Sequence, residues 1–274
     1  MKLKQNSGYP TVILLPILVA FSIMLVFVVV LNPDGAEPGR QEVPVQTSHS
    51  VEKKAAPAEK PTPSKDHVLY LTFDDGPGRY TDRLLDILRE NNVKATFFVT
   101  NCHPEYQDLI AREYAEGHAV GVHSYSHDYK KIYSSEKAFW QDYSAMDAVI
   151  YKQTGHHARL LRFPGGSSNA VSRKYSKGIM RRLTRQATDR GLVYVDWNAQ
   201  CGDSDGIRTS YGVYRRLTRE IGNSSRPQHI ILCHDIKPYT VAAMDDFIKW
   251  AKANGYTFEV LSPSGFDVHQ PLSN

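Results

Sequence analysis

The chain has 274 residues, 41% apolar and 23% charged, with three cysteines and a net charge of +4 from 33 Lys+Arg against 29 Asp+Glu. Those averages exclude a disordered, collagen-like or coiled-coil chain, and three cysteines cannot build a disulfide framework. No Lys/Arg run exceeds a pair, so the concentrated basic footprint of a nucleic-acid binder is missing and no nucleic-acid partner is expected.

Residues 1–11 carry Lys2 and Lys4 and precede an uncharged stretch over 12–31, interrupted only by Pro16 and Ser22. As a helix this stretch spans about 30 Å, the hydrocarbon thickness of a bilayer. We read it as an uncleaved single-pass anchor. The rival reading is a signal peptide, cleaved on secretion, but its apolar region is usually about 7–15 residues and ends in a small-residue site, which Val28–Pro33 lacks. The leading lysines hold the N-terminus in the cytoplasm and send the rest of the chain outside the cell membrane. Residues 32–66 hold six prolines and no aromatic, Leu or Ile, so they read as an extracellular Pro-rich tether without enough apolar surface to fold. The working domain is then 67–274, expected as a monomer.

In that domain strand patterns fall at 68–74, 95–100, 118–123, 158–163, 192–198, 229–234 and 256–261. Helical patterns lie between them at 81–91, 104–116, 136–153, 173–190, 210–222 and 240–253. Alternation of this kind implies parallel βαβ units, in an open doubly wound sheet or a compact (β/α) barrel. Both architectures collect reactive residues at the C-terminal ends of strands. Chemistry-bearing residues here fall at five or six strand ends, which favours the α/β barrel.

The first cluster, Thr72-Phe73-Asp74-Asp75-Gly76-Pro77, ends the first strand. Adjacent carboxylates before Gly-Pro also suit a plain polar turn. Because neighbouring side chains diverge, one carboxylate can hold a metal while the other faces substrate. The second, His123-Ser124-Tyr125-Ser126-His127, ends the third strand. Two histidines four apart meet on one face if the chain turns helically after the strand. With one carboxylate from another strand end they make three ligands for an open catalytic zinc site. The third, Arg162-Phe163-Pro164-Gly165-Gly166, combines an Arg suited to a salt bridge with glycines that expose backbone N–H groups. Asp196-Trp197-Asn198 running on to Gly202-Asp203-Ser204, and Leu232-Cys233-His234-Asp235, complete the set. Alone, a histidine after an apolar strand is more often a core residue than a catalyst.

In this order the five motifs resemble the NodB-homology polysaccharide deacetylases, carbohydrate esterase family four, over residues 67 to about 261. The resemblance implies a distorted (β/α) barrel of about seven parallel strands and metal-dependent removal of acetyl groups from sugars, with cell-wall peptidoglycan as the expected polysaccharide. It implies Asp75, His123 and His127 as ligands of one divalent ion, zinc first, with cobalt, nickel or manganese as alternatives. It implies Asp74 as general base, Arg162 as its partner, the Gly165 N–H as oxyanion donor, His234 as general acid and Asp203 as the partner of His234. Leu232, Trp197 and Pro164 are the implied substrate contacts. The family often carries an aromatic residue where Gly165 stands and Trp where Ser204 stands, so these two departures bear on the substrate.

The chemistry is consistent with those roles. A divalent ion polarises an amide carbonyl and lowers the pKa of bound water. One ionised carboxylate and one protonated imidazole then divide the base and acid work. A chitin, xylan or secreted-polysaccharide deacetylase and a non-catalytic wall-binding module of the same fold are the alternatives. A zinc peptidase would typically show His-Glu-x-x-His, and no Glu follows His123 or His127. Cys233 reads as a small buried hydrophobe, while Cys102 and Cys201 are open to pairing or to free thiols.

Overall fold

The computed structural model describes residues 67–274. The span at 12–31 and the tether at 32–66 lie outside the described residues. Among the described residues no helix is long and apolar enough to cross a membrane.

The sheet is built around β1 (Val68–Asp74), every residue of which is buried, as expected of a strand covered on both faces. It pairs in parallel with β2 (Thr96–Thr100) on one side and with β7 (Gln228–His234) on the other. Beyond β2 follow β3 (Ala119–Ser124), β4 (Leu160–Leu161) and β5 (Val193–Tyr194), and beyond β7 lies β6 (Ala199–Gln200). The order is β5-β4-β3-β2-β1-β7-β6, and β8 (Thr257–Phe258) pairs with the start of β1. Helices α1 (Thr81–Glu90), α2 (Asp108–Ala115), α3 (Tyr129–Ile132), α4 (Glu136–Thr154), α5 (Ile179–Asp189), α6 (Ser210–Gly222) and α7 (Pro238–Ala253) complete the α/β alternation.

The expected strand at 192–198 is the main departure. Only Val193–Tyr194 of it form a strand, β5, and β6 follows just beyond, because the chain bends between the two and changes partner. Val195 N–H still donates to Leu161 O beside β4 at 2.9 Å, whereas Asn198 N–H donates to Ile230 O of β7 at 3.1 Å. Asp196, at the bend, points its carboxylate at the backbone N–H groups of Ser167 and Gln270, both at 2.8 Å. One bent segment therefore joins the two edges of the sheet, and because β5 and β6 form no ladder with each other the seven parallel strands make an open half-barrel. The remaining differences are local. The 104–116 pattern becomes a 3-10 turn at Pro104–Tyr106 followed by α2, and the 173–190 pattern a 3-10 turn at Val171–Lys174 followed by α5. Left-handed Gly178 separates the latter two.

The two-residue period of β1 sorts the chemistry. Leu69, Leu71 and Phe73 pack against the helices, in one cluster with Leu84, Leu85, Leu88, Met244 and Phe247. Burying each such side chain contributes about 1.5–3 kcal/mol. Val68 and Tyr70 face the other way, into a second cluster with Phe98, Leu160, Val195 and Ile230. Thr72 and Asp74 continue that inner face, so the interior becomes polar toward the C-terminal ends of the strands.

Candidate active site

The strand ends enclose a cavity of about 330 Å³ lined by Asp74, Asp75, His123, His127, Gly165, Trp197, Leu232 and His234, among others. Eight of the eleven residues singled out by sequence thus share one space. A larger groove of about 580 Å³ between α6 and α7 contains none of them, so size alone does not locate the chemistry.

Asp75 leaves β1 in the left-handed region, at φ 75°, which turns its side chain away from that of Asp74. Its Oδ1 lies 3.3 Å from His127 Nε2 and 3.6 Å from His123 Nε2. That oxygen is buried and has no hydrogen-bond partner. Burial pushes the pKa of His123 down to about 3, so its ring is neutral. Its Nδ1 lies 2.7 Å from Arg162 O, a geometry in which Nδ1–H donates and Nε2 keeps its lone pair. Lone pairs from Asp75, His123 and His127 therefore converge, with all three ligand atoms within 4.8 Å of one another. Ligand atoms about 2.0–2.1 Å from a tetrahedral ion sit about 3.3–3.4 Å apart. The residues fit a divalent cation.

The His123–His127 loop reaches this geometry without the helical turn expected from its spacing. His127 adopts φ 50°, and its N–H donates to Ser124 Oγ at 2.9 Å. Buried Asp142 of α4 holds the loop by accepting from Ser124 Oγ at 2.6 Å, Tyr125 N at 2.7 Å, Ser126 Oγ at 2.6 Å and Ser126 N at 2.9 Å. Sequence reasoning missed Asp142, since nothing local distinguishes an acid in the middle of a helix as a loop anchor.

Arg162 is fully buried beneath the cavity. It donates to Asp74 Oδ1 at 3.0 Å, Thr72 Oγ1 at 2.6 Å, Val195 O at 3.0 Å and Asp196 O at 3.0 Å. Burial pushes the Asp74 carboxyl above the ordinary carboxylate range, and Arg162 and His234 offset that only in part.

On the opposite wall, Asp203 Oδ1 lies 2.8 Å from His234 Nδ1, and its Oδ2 accepts from His234 N at 2.9 Å and Thr240 Oγ1 at 2.8 Å. Burial works against charge on His234, but the hydrogen bond and negative charge of Asp203 raise its pKa above the ordinary value. For Asp203 too burial is opposed by these bonds, which hold the carboxyl below its ordinary range. Asp235, next in the chain, faces away from the cavity and accepts from Thr81 Oγ1. Its carboxyl fills the space that a Cβ on Gly76 would occupy, which is why the turn after Asp75 requires glycine.

Pro164 departs from its expected place. It is buried and is not part of the cavity wall; its carbonyl accepts from Tyr133 OH at 2.8 Å, so it shapes the loop and leaves the surface to Gly165. The Gly165 N–H has no acceptor among the described residues. Tyr129 and Lys237 also line the cavity and were not singled out by sequence. All three cysteines are free thiols, Cys201 and Cys233 buried and Cys102 exposed.

Residues 61–181 match the family model for polysaccharide deacetylase. The chain is 34% identical over 195 residues to a peptidoglycan-N-acetylglucosamine deacetylase of Bacillus cereus, covering 70% of this chain and 68% of that protein. It is 30% identical over 212 residues to a peptidoglycan-N-acetylmuramic acid deacetylase of Bacillus subtilis, covering 76% and 75%. Among solved structures it resembles the catalytic domain of peptidoglycan N-acetylglucosamine deacetylase from Eubacterium rectale, with a TM-score of 0.74 and 46% identity over 80% of this chain and 99% of that one.

Proposed function

We propose a mechanism from one premise: the chain belongs to the polysaccharide deacetylase family. It is a metal-dependent hydrolase that removes acetyl groups from the N-acetylated sugars of peptidoglycan and releases acetate. The observation that carries this is the meeting, in one cavity, of the Asp75–His123–His127 ligand set with Asp74 and the Asp203-backed His234.

Asp75, His123 and His127 would hold one divalent ion, for which we propose zinc, with cobalt, nickel or manganese able to serve the same two-nitrogen, one-oxygen donor set. Bound there, the ion supplies Lewis-acid polarisation of the acyl oxygen, acidification of water, and positive charge that offsets the burial of Asp74. Asp74 accepts the proton of the attacking water, and Arg162 fixes the orientation of its carboxylate. The Gly165 N–H donates to the developing oxyanion, an interaction worth about 2.7–4 kcal/mol for a preorganised donor. His234, whose pKa Asp203 raises, delivers a proton to the departing amine nitrogen as the carbon–nitrogen bond breaks. Leu232 and Trp197 supply apolar surface on the cavity wall for the acetyl methyl and the sugar.

The deciding experiment incubates the chain with zinc and purified peptidoglycan, then identifies products by mass spectrometry of the released muropeptides. Loss of acetyl from N-acetylglucosamine or N-acetylmuramic acid with stoichiometric acetate supports the reading. Activity confined to chitin or xylan moves the substrate elsewhere, and no acetate from any acetylated glycan leaves a wall-binding module. We further propose a monomer anchored by residues 12–31 with its catalytic domain outside the cytoplasmic membrane. Protease added to wall-stripped cells then releases an active fragment by cutting within 32–66, whereas full protection contradicts that orientation.

A further inference from the structure

We propose that Tyr129 is a second oxyanion donor, its hydroxyl donating to the substrate acyl oxygen beside the Gly165 N–H. The inference rests on the deacetylase reading above and adds to it a residue from outside the five motifs.

Placement comes first. α3 starts two residues after His127 and is capped by Asp128, whose carboxylate accepts from Lys130 N at 3.0 Å and Lys131 N at 3.3 Å. That single turn directs Tyr129 and Tyr133 toward the Phe163–Gly166 loop. Tyr133 holds the loop through the carbonyl of Pro164. The Tyr129 ring stands edge-on to His127 and to Tyr133, with centroids 5.6 Å away in each case. Its orientation is thus set by a metal-site histidine on one side and a buried tyrosine on the other.

The hydroxyl is then located by what Gly165 lacks. A Cβ at Gly165 would lie 2.7 Å from Tyr129 OH and 3.4 Å from its Cε1, and the backbone there has φ 77°. Only glycine accommodates both that conformation and that neighbour. A phenol from α3 fills the space that a side chain at this position would take. The hydroxyl consequently lies at the same turn as the free N–H of Gly165, on the side of the cavity occupied by His127.

Finally, the hydroxyl is unspent. Tyr133 uses its hydroxyl on the loop, whereas Tyr129 OH lines the cavity and has no hydrogen-bond partner among the described residues. An ordinary phenol ionises only at about pH 10, so at neutral pH this hydroxyl carries its proton and can donate. A fixed neutral donor gains strength as negative charge develops on the acyl oxygen, which places its contribution in the transition state.

Tyr129→Phe removes one oxygen that no protein group uses. With the full chain, zinc and an acetylated muropeptide, kcat is expected to fall about 10²-fold, the lower end for loss of one oxyanion donor. KM, bound zinc and the thermal midpoint are expected to match wild type. A kcat close to wild type overturns the proposal. So does a loss confined to KM, which makes Tyr129 a sugar contact, or a loss that tracks reduced zinc content, which makes it a prop for His127. A wild-type chain that releases no acetate overturns the deacetylase reading and this proposal together, whereas an active wild type with an unaffected Tyr129→Phe overturns this proposal alone.

Discussion

Asp203→Asn changes one charge and almost no volume, at a residue that does not touch the cavity, and it isolates what the acid–base pair contributes. The wild-type carboxylate accepts three hydrogen bonds, two of them from His234. The side-chain bond to His234 Nδ1, at 2.8 Å and buried, is charge-assisted whenever the imidazole is protonated. Such bonds contribute about 1.5–3 kcal/mol, about 10–100-fold in the protonation equilibrium, so removing the charge lowers the His234 pKa. The sign follows from the role. His234 acts protonated, Asp203 raises its pKa, and activity is lost as pH rises through that value. In the variant the basic limb of the kcat/KM profile moves to lower pH, and at pH above both values the rate falls about 10–100-fold. Below both values the imidazole is protonated in either protein, so the deficit narrows to the orientation lost when an amide replaces the carboxylate. The assay is acetate release against pH with zinc saturating, together with bound-zinc measurement. A basic limb that stays in place while the rate falls uniformly would refute the assignment of His234 as an acid tuned by Asp203.

Three further outcomes are expected. Asp74→Asn keeps zinc but loses about 10²–10⁴-fold in turnover, whereas Asp75→Asn weakens zinc binding and regains part of its rate in excess metal; a zinc titration of both variants checks this, and the reverse pattern exchanges the two roles. Asp142→Ala strands the four donors that hold the His123–His127 loop and lowers metal affinity about 10–100-fold although Asp142 touches no metal; competition with a chelator measures it, and unchanged affinity removes Asp142 from the site. Arg162→Met leaves Asp74 without its buried partner and strips the donor from three further acceptors, so denaturant unfolding should show a loss of about 3–5 kcal/mol; a loss below about 1 kcal/mol, the range of an exposed ion pair, would refute the buried network.

The sequence by itself determined the alternation of strands and helices, because hydrophobic period is a local property, and it determined which residue types stand at the strand ends. Asp74, Asp75, His123, His127, Arg162 and His234 were legible for that reason. Asp74, His123 and His234 stand at the ends of apolar strands and Asp75 follows one, so register carries them to the rim of the half-barrel, whereas His127 returns through the loop and Arg162 lies buried beneath. Asp203 and Gly165 were legible only through the motif order, since neither carries a local signal of its own. What the tertiary structure decided are the relations between distant segments. The bend that divides β5 from β6 exists because Asp196 finds the N–H groups of Ser167 and Gln270, 29 and 74 residues away. Asp142 was unreadable as a loop anchor because its four donors lie 16 to 18 residues back along the chain, across a loop and a helix. Pro164 and Tyr129 exchanged places for the same reason: only folding shows that one carbonyl is taken by Tyr133 while the neighbouring hydroxyl is left facing the cavity. Periodicity specifies which face a residue occupies; which buried polar group satisfies which depends on contacts that exist only once the segments have packed.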